Sequence, residues 1–340
     1  MTSPQTAPMR TNGHHPSGAP AHNGKHPLAG MAAAPRRRER RHPFNPSRIR
    51  YARSWLGLSA GAAAVGMLGL RRYGRRAGLG YGVLGLASMA YIALIEPGRP
   101  RLEHVTLRLP TLPPQLDGLR VGQISDCHLG MPHSARNLAW AVEQMRRERP
   151  ELIALTGDFV SRRRAIPTIA PLLRGLDAPL GVYAIPGNHD YWEGLADVHA
   201  ALALNGIPLL VNEHRRLRWN GADLWLAALD DLWDGRPDLD AALYGVPRGA
   251  CTLLLSHAPD SADEAARRGV AAQLSGHTHG GHMRLPLLGP FALPRFGWRY
   301  TMGAYRVGAM ELYVSRGLSG GPFRLLCPPE ATIFTLRCAV

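Results

Sequence analysis

From residue 119 onward the chain alternates short apolar runs of strand length with longer helix-length segments, and this rhythm constrains the fold more than any other feature. Residues 119–125, 152–156 and 181–185 read as strands, and 135–148, 167–176 and 195–205 read as helices. Strands alternating with helices imply βαβ units and a largely parallel sheet. The later part is richer in strands, at 208–210, 217–219, 224–229, 251–256, 272–275, 312–315 and 332–336. No internal repeat is visible.

Polar residues gather where these strands end. The segments are Ser125-Asp126-Cys127-His128, Thr156-Gly157-Asp158, Pro186-Gly187-Asn188-His189-Asp190, Ser256-His257-Ala258-Pro259 and Gly276-His277-Thr278-His279-Gly280-Gly281-His282. Ligand crevices of open α/β sheets lie beyond the carboxyl ends of strands, so all five segments are expected at one rim. Together they offer two carboxylates in separate motifs, Asp126 and Asp158, one amide and several imidazoles, with no cysteine pair. Such oxygen and nitrogen donors suit Mn, Fe or Zn. On extended backbone, residues i and i+2 point the same way, so the Asp-x-His and His-x-His pairs could each grip one metal. Gly157, Gly187 and Gly276 would let the chain turn sharply beside a ligand. Each segment alone is a common turn, cap or loop histidine; five in this order after five strands are not.

Those segments resemble the signature of calcineurin-like metallophosphoesterases over about residues 116–340. Ser125-Asp126-x-His128-Leu129-Gly130, the Gly-His-Thr-His-Gly-Gly run from Gly276, and Tyr313-Val314-Ser315-Arg316-Gly317-Leu318 followed by Pro328-Pro329-Glu330 are similar to a bacterial branch that joins this domain to N-terminal membrane segments. Members of that branch are described as phosphodiesterases, and some relatives as UDP-2,3-diacylglucosamine pyrophosphatases of lipid A synthesis. The resemblance implies an α/β fold, a four-layer αββα sandwich of two mixed sheets, preceded by an N-terminal membrane segment. It implies two divalent metal ions, Mn before Fe or Zn. The first would take Asp126, His128, Asp158 and His279; the second Asp158, Asn188, His257 and His277. Asp158 would bridge them. His189 would lie over the substrate phosphate as an acid or charge stabiliser, oriented by Asp190. Two positions depart from the pattern: Phe159-Val160-Ser161 stands where relatives often carry an acid, and His282 where Gln or Ile is common. His282 reads as a rim histidine, and Cys127, between two ligands, as core-facing. Arg162-Arg163-Arg164 reads as a solvated loop and Asp230-Asp231-Leu232-Trp233 as a turn cap. Tyr191-Trp192 and Phe291, Phe296, Trp298 and Tyr300 could touch the apolar part of a substrate or pack internally.

The chain before residue 116 is different in kind. Residues 1–50 lack apolar periodicity and read as a disordered basic tail, its histidines (His14, His15, His22, His26) included. Residues 51–96 hold two Gly/Ala-rich apolar stretches, 55–70 and 77–95, split by Arg71, Arg72, Arg75 and Arg76. A bilayer span needs roughly 20 apolar residues, so one or two transmembrane helices are expected. Residues 97–115, broken by five prolines, read as a linker into the first strand. The formal net charge is +15, yet residues 1–101 carry 16 basic against 2 acidic residues (+14) and residues 102–340 carry 24 against 23 (+1). A domain so near neutrality argues against an extended nucleic-acid groove, and no nucleic-acid partner is expected. The four cysteines form no CxxC pair and define no disulfide framework.

These readings converge on hydrolysis of phosphodiester or pyrophosphate bonds by a metal-activated hydroxide. The expected partners are membrane lipid and a lipid-linked phosphate ester such as UDP-2,3-diacylglucosamine, at the inner (cell) membrane of a bacterium. A membrane-anchored nuclease or cyclic nucleotide phosphodiesterase, or a non-catalytic scaffold retaining the fold, are the alternatives. The scaffold requires lost ligands, and the sequence has lost none.

Overall fold

The computed structural model describes residues 46–339. Strands β1 (Arg101–Leu109), β2 (Arg120–Ile124), β3 (Leu152–Thr156), β4 (Val182–Ile185) and the C-terminal β13 (Glu330–Cys338) form a five-stranded sheet ordered β1-β13-β2-β3-β4. A six-stranded sheet, ordered β11-β12-β8-β7-β6-β5, holds β5 (Glu213–Trp219), β6 (Ala222–Ala228), β7 (Thr252–Leu255), β8 (Ala272–Ser275), β11 (Gly303–Val307) and β12 (Met310–Val314). Between them in sequence, β9 (Arg284–Leu285) and β10 (Gly289–Pro290) make a small antiparallel hairpin. Both large sheets are mixed. β2, β3 and β4 run parallel, as do β6, β7, β8 and β12, whereas β13 is antiparallel to β2 and both edges of the second sheet are antiparallel pairs.

Strand alternation sorts the apolar side chains into layers. Val121, Leu152, Ala154, Ile185 and Phe334 face one way and pack against Leu224, Leu226, Leu253, Leu255 and Leu274 of the other sheet. Ile124, Ile153, Leu155 and Ile333 face the other way, against helix α2 (Ser134–Glu148), α3 (Ile169–Leu173) and α5 (Leu195–Ala203), with α4 (Asn188–Glu193) leading into α5. Leu138, Ala141, Val142 and Met145 recur on α2 at the spacing that puts one stripe on the sheet. Leu254, Leu312 and Val314 form the outer core of the second sheet, beneath α6 (Leu239–Leu243) and α7 (Ala262–Arg267). The sandwich therefore has the αββα layering expected.

Two expectations change, and a third is reached only at its edge. Residues 97–115 are not a linker: they contain β1, which pairs with β13 in parallel register from Arg101↔Glu330 to Leu109↔Cys338. The prolines lie outside this strand, and Val105, Leu107 and Leu109 alternate with polar residues inside it, a period-two pattern that buries one face. The helix over 167–176 shrinks to the five residues of α3: Pro167 lies in the 3₁₀ turn before it, Pro171 is tolerated in its first turn, and Gly175 with φ +71° lies just beyond its end. The tail over 1–50 lies outside the described residues except for 46–50, which begin helix α1 (Pro46–Ala90).

α1 is broken at Gly74, whose φ of 80° and ψ of 176° are not helical. A Cβ on Gly78 would meet the Leu70 backbone at 2.9 Å, and the Tyr73 and Tyr81 rings lie 6.1 Å apart. Residues eight apart in a straight helix are separated by roughly 12 Å, so the chain reverses at Gly74 into a helical hairpin. Among the described residues one stretch, Gly78–Gly98, is long and apolar enough to cross a membrane. Its far end is tied to the sandwich. Arg324 N–H donates to Ile92 O at 3.0 Å, and Cys327 N–H to the buried Glu96 carboxylate at 2.7 Å.

Candidate metal centre

The carboxyl ends of β2, β3 and β4 in one sheet and of β7 and β8 in the other deliver the polar segments to a common rim. Asp126, His128, Asp158 and His279 each place a potential ligand atom within 4.8 Å of the others, all four side chains buried. Asp158, His257 and His277 form a second such group, so Asp158 belongs to both. Its Oδ2 lies 3.3 Å from His128 Nε2 and 3.3 Å from His257 Nε2, while its Oδ1 accepts the His189 N–H at 2.8 Å. Burial works to raise the Asp158 carboxyl, but the imidazoles of His257, His189 and His128 outweigh it and hold the group well below the usual range.

The imidazoles are pre-set as ligands. His257 Nδ1 lies 2.7 Å from Thr156 O and His277 Nε2 lies 2.6 Å from Arg295 O. A carbonyl only accepts, so each of those nitrogens carries the proton. With both rings neutral, the remaining nitrogens, His257 Nε2 and His277 Nδ1, face each other as lone pairs 3.3 Å apart; without a cation between them, the Asp158 carboxylate favours a protonated His257 instead. His128 Nδ1 is held by Ser161 Oγ at 2.7 Å, and its Nε2 faces His279 Nε2 at 3.2 Å. Opposed lone pairs beside buried carboxylates repel unless a cation lies between them, and ring nitrogens fixed by outer partners are the usual support of metal-binding imidazoles. Asn188 adds a buried Oδ1 with no hydrogen-bond partner, an acceptor that a cation would satisfy. The residues present therefore fit a dinuclear divalent metal site.

Backbone strain is concentrated here. Asp126, His128, Asp158, His277 and His279 have φ of 53°, 46°, 56°, 70° and 52°, left-handed values that cost about 1–3 kcal/mol per non-glycine residue. Extended backbone is thus not what aims the pairs. Asp126 and His128 do share one group, but His277 and His279 diverge into different groups, as the family resemblance implies and the i, i+2 argument does not. The glycines also differ from expectation. Gly157 has φ +85°, whereas Gly187 and Gly276 are needed for close approach: a Cβ at 187 would sit 2.3 Å from Asp158 Oδ1, and one at 276 would sit 2.1 Å from Asp126 Oδ2.

His189 packs edge-on against His128, centroids 4.6 Å apart, with its Nδ1 buried and unpartnered. Burial pulls its imidazole down to about 3, against the pull of Asp158. Asp190 does not orient it. The Asp190 carboxylate accepts backbone N–H groups from Asp158, Phe159 and Gly187 at 2.9, 2.8 and 3.0 Å and so ties the loop after β3 to the loop after β4. That is a positioning role.

The cleft walls were only partly legible. Trp192 lies tilted against His189 (4.5 Å), meets Trp233 edge-on (5.5 Å), and Trp233 reaches His277 (5.9 Å). Asp231 caps the turn before Trp233 through the N–H groups of Trp233 and Asp234, which aims that ring at the site. Asp230 takes the Tyr191 hydroxyl, and Asp234 the Trp192 indole N–H. His282 stacks flat on His279 at 4.5 Å and 15°. Cys127 is core-facing, as expected. Arg162 and Arg163 turn away, to Gly130 O and Asp197. Ser161, Thr156 and Arg295, which hold the imidazoles, carried no sequence signal except Ser161, which stands in the segment where relatives often carry an acid.

Two adjoining groups of buried carboxylates and imidazoles that share one aspartate, at the strand ends of an αββα sandwich, define a dinuclear metallohydrolase. The chain belongs to the calcineurin-like phosphoesterase family, whose model matches residues 119–281, and it is a metal-dependent phosphoesterase. It is 34% identical over 284 residues to the uncharacterized metallophosphoesterase YkuE of Bacillus subtilis, a match covering 82% of this chain and 94% of that one. It is 29% identical to the phosphodiesterase YaeI of Escherichia coli, over 74% of this chain and 93% of that one. A transmembrane protein with metallophosphoesterase domain from Danio rerio is 31% identical, over 74% of this chain and 61% of its own length.

Proposed function

We propose that the chain hydrolyses phosphodiester or pyrophosphate bonds of lipid-linked esters at a membrane, with manganese the preferred metal. The observation that carries the reaction class is Asp158 Oδ2, equidistant at 3.3 Å from one imidazole of each ligand group. A shared anion offsets the repulsion between two cations, which when bound supply Lewis-acid stabilisation of phosphate oxygens and acidify water. Asp126, His128 and His279 would hold one cation, and Asn188, His257 and His277 the other. His189, its backbone fixed by Asp158 and its ring by His128, would donate a hydrogen bond to a phosphate or leaving-group oxygen. Trp192 and Trp233 would exclude water and receive the apolar part of the ester. The phosphodiesterase name of the Escherichia coli relative and the transmembrane name of the zebrafish relative support the diester and the membrane respectively.

The test uses purified full-length chain. Manganese-dependent hydrolysis of a bis-aryl phosphate is expected, abolished by Asp158→Ala and lowered about 10²–10³-fold by His189→Ala, the usual range for losing one hydrogen-bond donor to developing charge. Full activity of Asp158→Ala would overturn the site. A panel of phospholipids and UDP-linked acyl sugars, UDP-2,3-diacylglucosamine among them, with products identified by mass spectrometry, tests the lipid-linked substrate; turnover of water-soluble diesters alone would refute it.

A further inference from the structure

An exposed apolar lip stands beside both the metal centre and the exit of the candidate membrane helix. The β9–β10 hairpin presents Leu287 fully exposed and Leu288 79% exposed, and the segment after it presents Phe291 and Trp298 at 70% and 73%. Leu326, on the irregular strap between β12 and β13, is also exposed and lines a shared concavity with Arg284, Leu285, Pro286, Leu287 and Gly289. Single exposed apolar residues are ordinary; a contiguous set of leucines and aromatics marks an interaction surface.

Its surroundings indicate what covers it. The strap joins the lip to the helix within four residues, 324–327: Arg324 N–H bonds Ile92 O at 3.0 Å, Arg284 N–H bonds Leu325 O at 2.9 Å, and Cys327 N–H bonds Glu96. Leu94 and Ile95, at the end of Gly78–Gly98, are exposed as well, so the apolar surface continues from helix to lip. Residues 284–300 contain three arginines and no acid, in a domain whose balance is otherwise near zero. Of the three, Arg299 is paired with Asp263, while Arg295 is exposed and lies over the Phe296 ring at 4.6 Å. Leucine and tryptophan mixed with arginine is the composition of a surface seated at the boundary of headgroups and acyl chains, where each basic residue near an anionic leaflet adds attraction. The same segment supports the site: Arg295 O holds His277, and Gly281 packs under Pro290, two residues from His279.

We propose that residues 284–299 and Leu326 form a second bilayer contact, which seats the mouth of the metal centre against an anionic lipid surface. The proposal rests on the reading that Gly78–Gly98 spans that bilayer. Seated in this way, the cleft would take a phosphate ester from the headgroup layer while its acyl part stayed in the membrane.

The test is depth measurement on the full chain reconstituted in vesicles of phosphatidylethanolamine and phosphatidylglycerol. Nitroxide labels at Leu287→Cys, Leu84→Cys and Leu204→Cys are compared for access to oxygen and to a water-soluble nickel chelate. The unsubstituted chain gives the background from Cys338, the one half-exposed native cysteine. Expected is an oxygen-favoured label at 287, like that at 84 in the helix and unlike that at the exposed Leu204 on the sandwich. A label at 287 as open to nickel as that at 204, with 84 in lipid, overturns the lip contact and leaves the span. Nickel access at both 84 and 287 overturns both readings. Lipid at 287 with water at 84 retains the lip and refutes the span.

Discussion

Ser161 shows how much of the centre depends on side chains that never touch a metal. Its hydroxyl holds His128 Nδ1 at 2.7 Å and thereby keeps Nε2 aimed at Asp158. Ser161→Ala is expected to raise the manganese concentration giving half-maximal activity about 10–100-fold while leaving the fold intact, as loss of such an outer partner commonly does; titration of activity against metal checks it. An unchanged requirement would show that His128 is held by packing alone. Six of the seven expected ligand residues meet in the two groups, and they could be picked out from sequence because their donor chemistry repeats after successive strands. Their supports could not. Thr156 O and Arg295 O are backbone carbonyls, which any residue offers, and the partners lie 101 and 18 positions away in the chain. Asp190 was misread for the same reason: sequence puts it next to His189, whereas three dimensions put it on the amides of Asp158, Phe159 and Gly187.

The loops between elements decide which groups meet. Gly157 combines φ +85° with a Cβ position 2.7 Å from Gly187 N and 2.8 Å from His257 Nδ1. Gly157→Ala would displace His257 from Thr156 O as well as strain the turn. We expect a loss of roughly 1–3 kcal/mol of stability, the usual scale for a residue forced into a sparse backbone region, together with loss of one bound metal. Denaturant unfolding and metal analysis measure the two effects, and intact metal content with lowered stability would confine the role of Gly157 to the turn. At this scale the alternation of strand and helix was legible from residue 119 onward because buried parallel strands are short apolar runs. β1 carries a weak sequence signal, because Pro100 and Pro110 flank it and only Val105, Leu107 and Leu109 alternate within it. The β5–β6 pairing was read only in part, since Glu213, His214, Arg215 and Arg216 give an edge strand little apolar signal.

For the molecule as a whole, the centre is a cluster of buried anions and opposed lone pairs that links both sheets. Cation binding to the folded state alone stabilises it, by about 2.7 kcal/mol at a metal concentration 100 times the dissociation constant. Chelation is therefore expected to lower Tm, and added manganese to restore it; a Tm indifferent to chelator would mean the cluster is stable without metal. Gln123 contributes to that link, its amide bonding Thr156 Oγ1 at 2.9 Å and Ser275 O at 3.1 Å across the sandwich. The charge split between the two parts of the chain was legible in the sequence, and so was a break between the two apolar stretches at Arg71-Arg72-Tyr73-Gly74-Arg75-Arg76; that the chain reverses there follows from the approach of Gly78 to Leu70.

The strap from Gly317 to Pro328 touches the helix exit at Ile92 and Glu96 and also backs the first ligand group: Cys327 Sγ approaches His279 O at 3.2 Å, and a Cβ on Gly320 would strike the His279 ring. A spanning helix changes tilt to suit the thickness of its bilayer. If Gly78–Gly98 spans as proposed, such a tilt would pull on Glu96, and through Cys327, which bonds Glu96 and touches His279 O, on His279 itself, so turnover of a freely soluble ester should vary between thin and thick bilayers although neither substrate nor cation touches lipid.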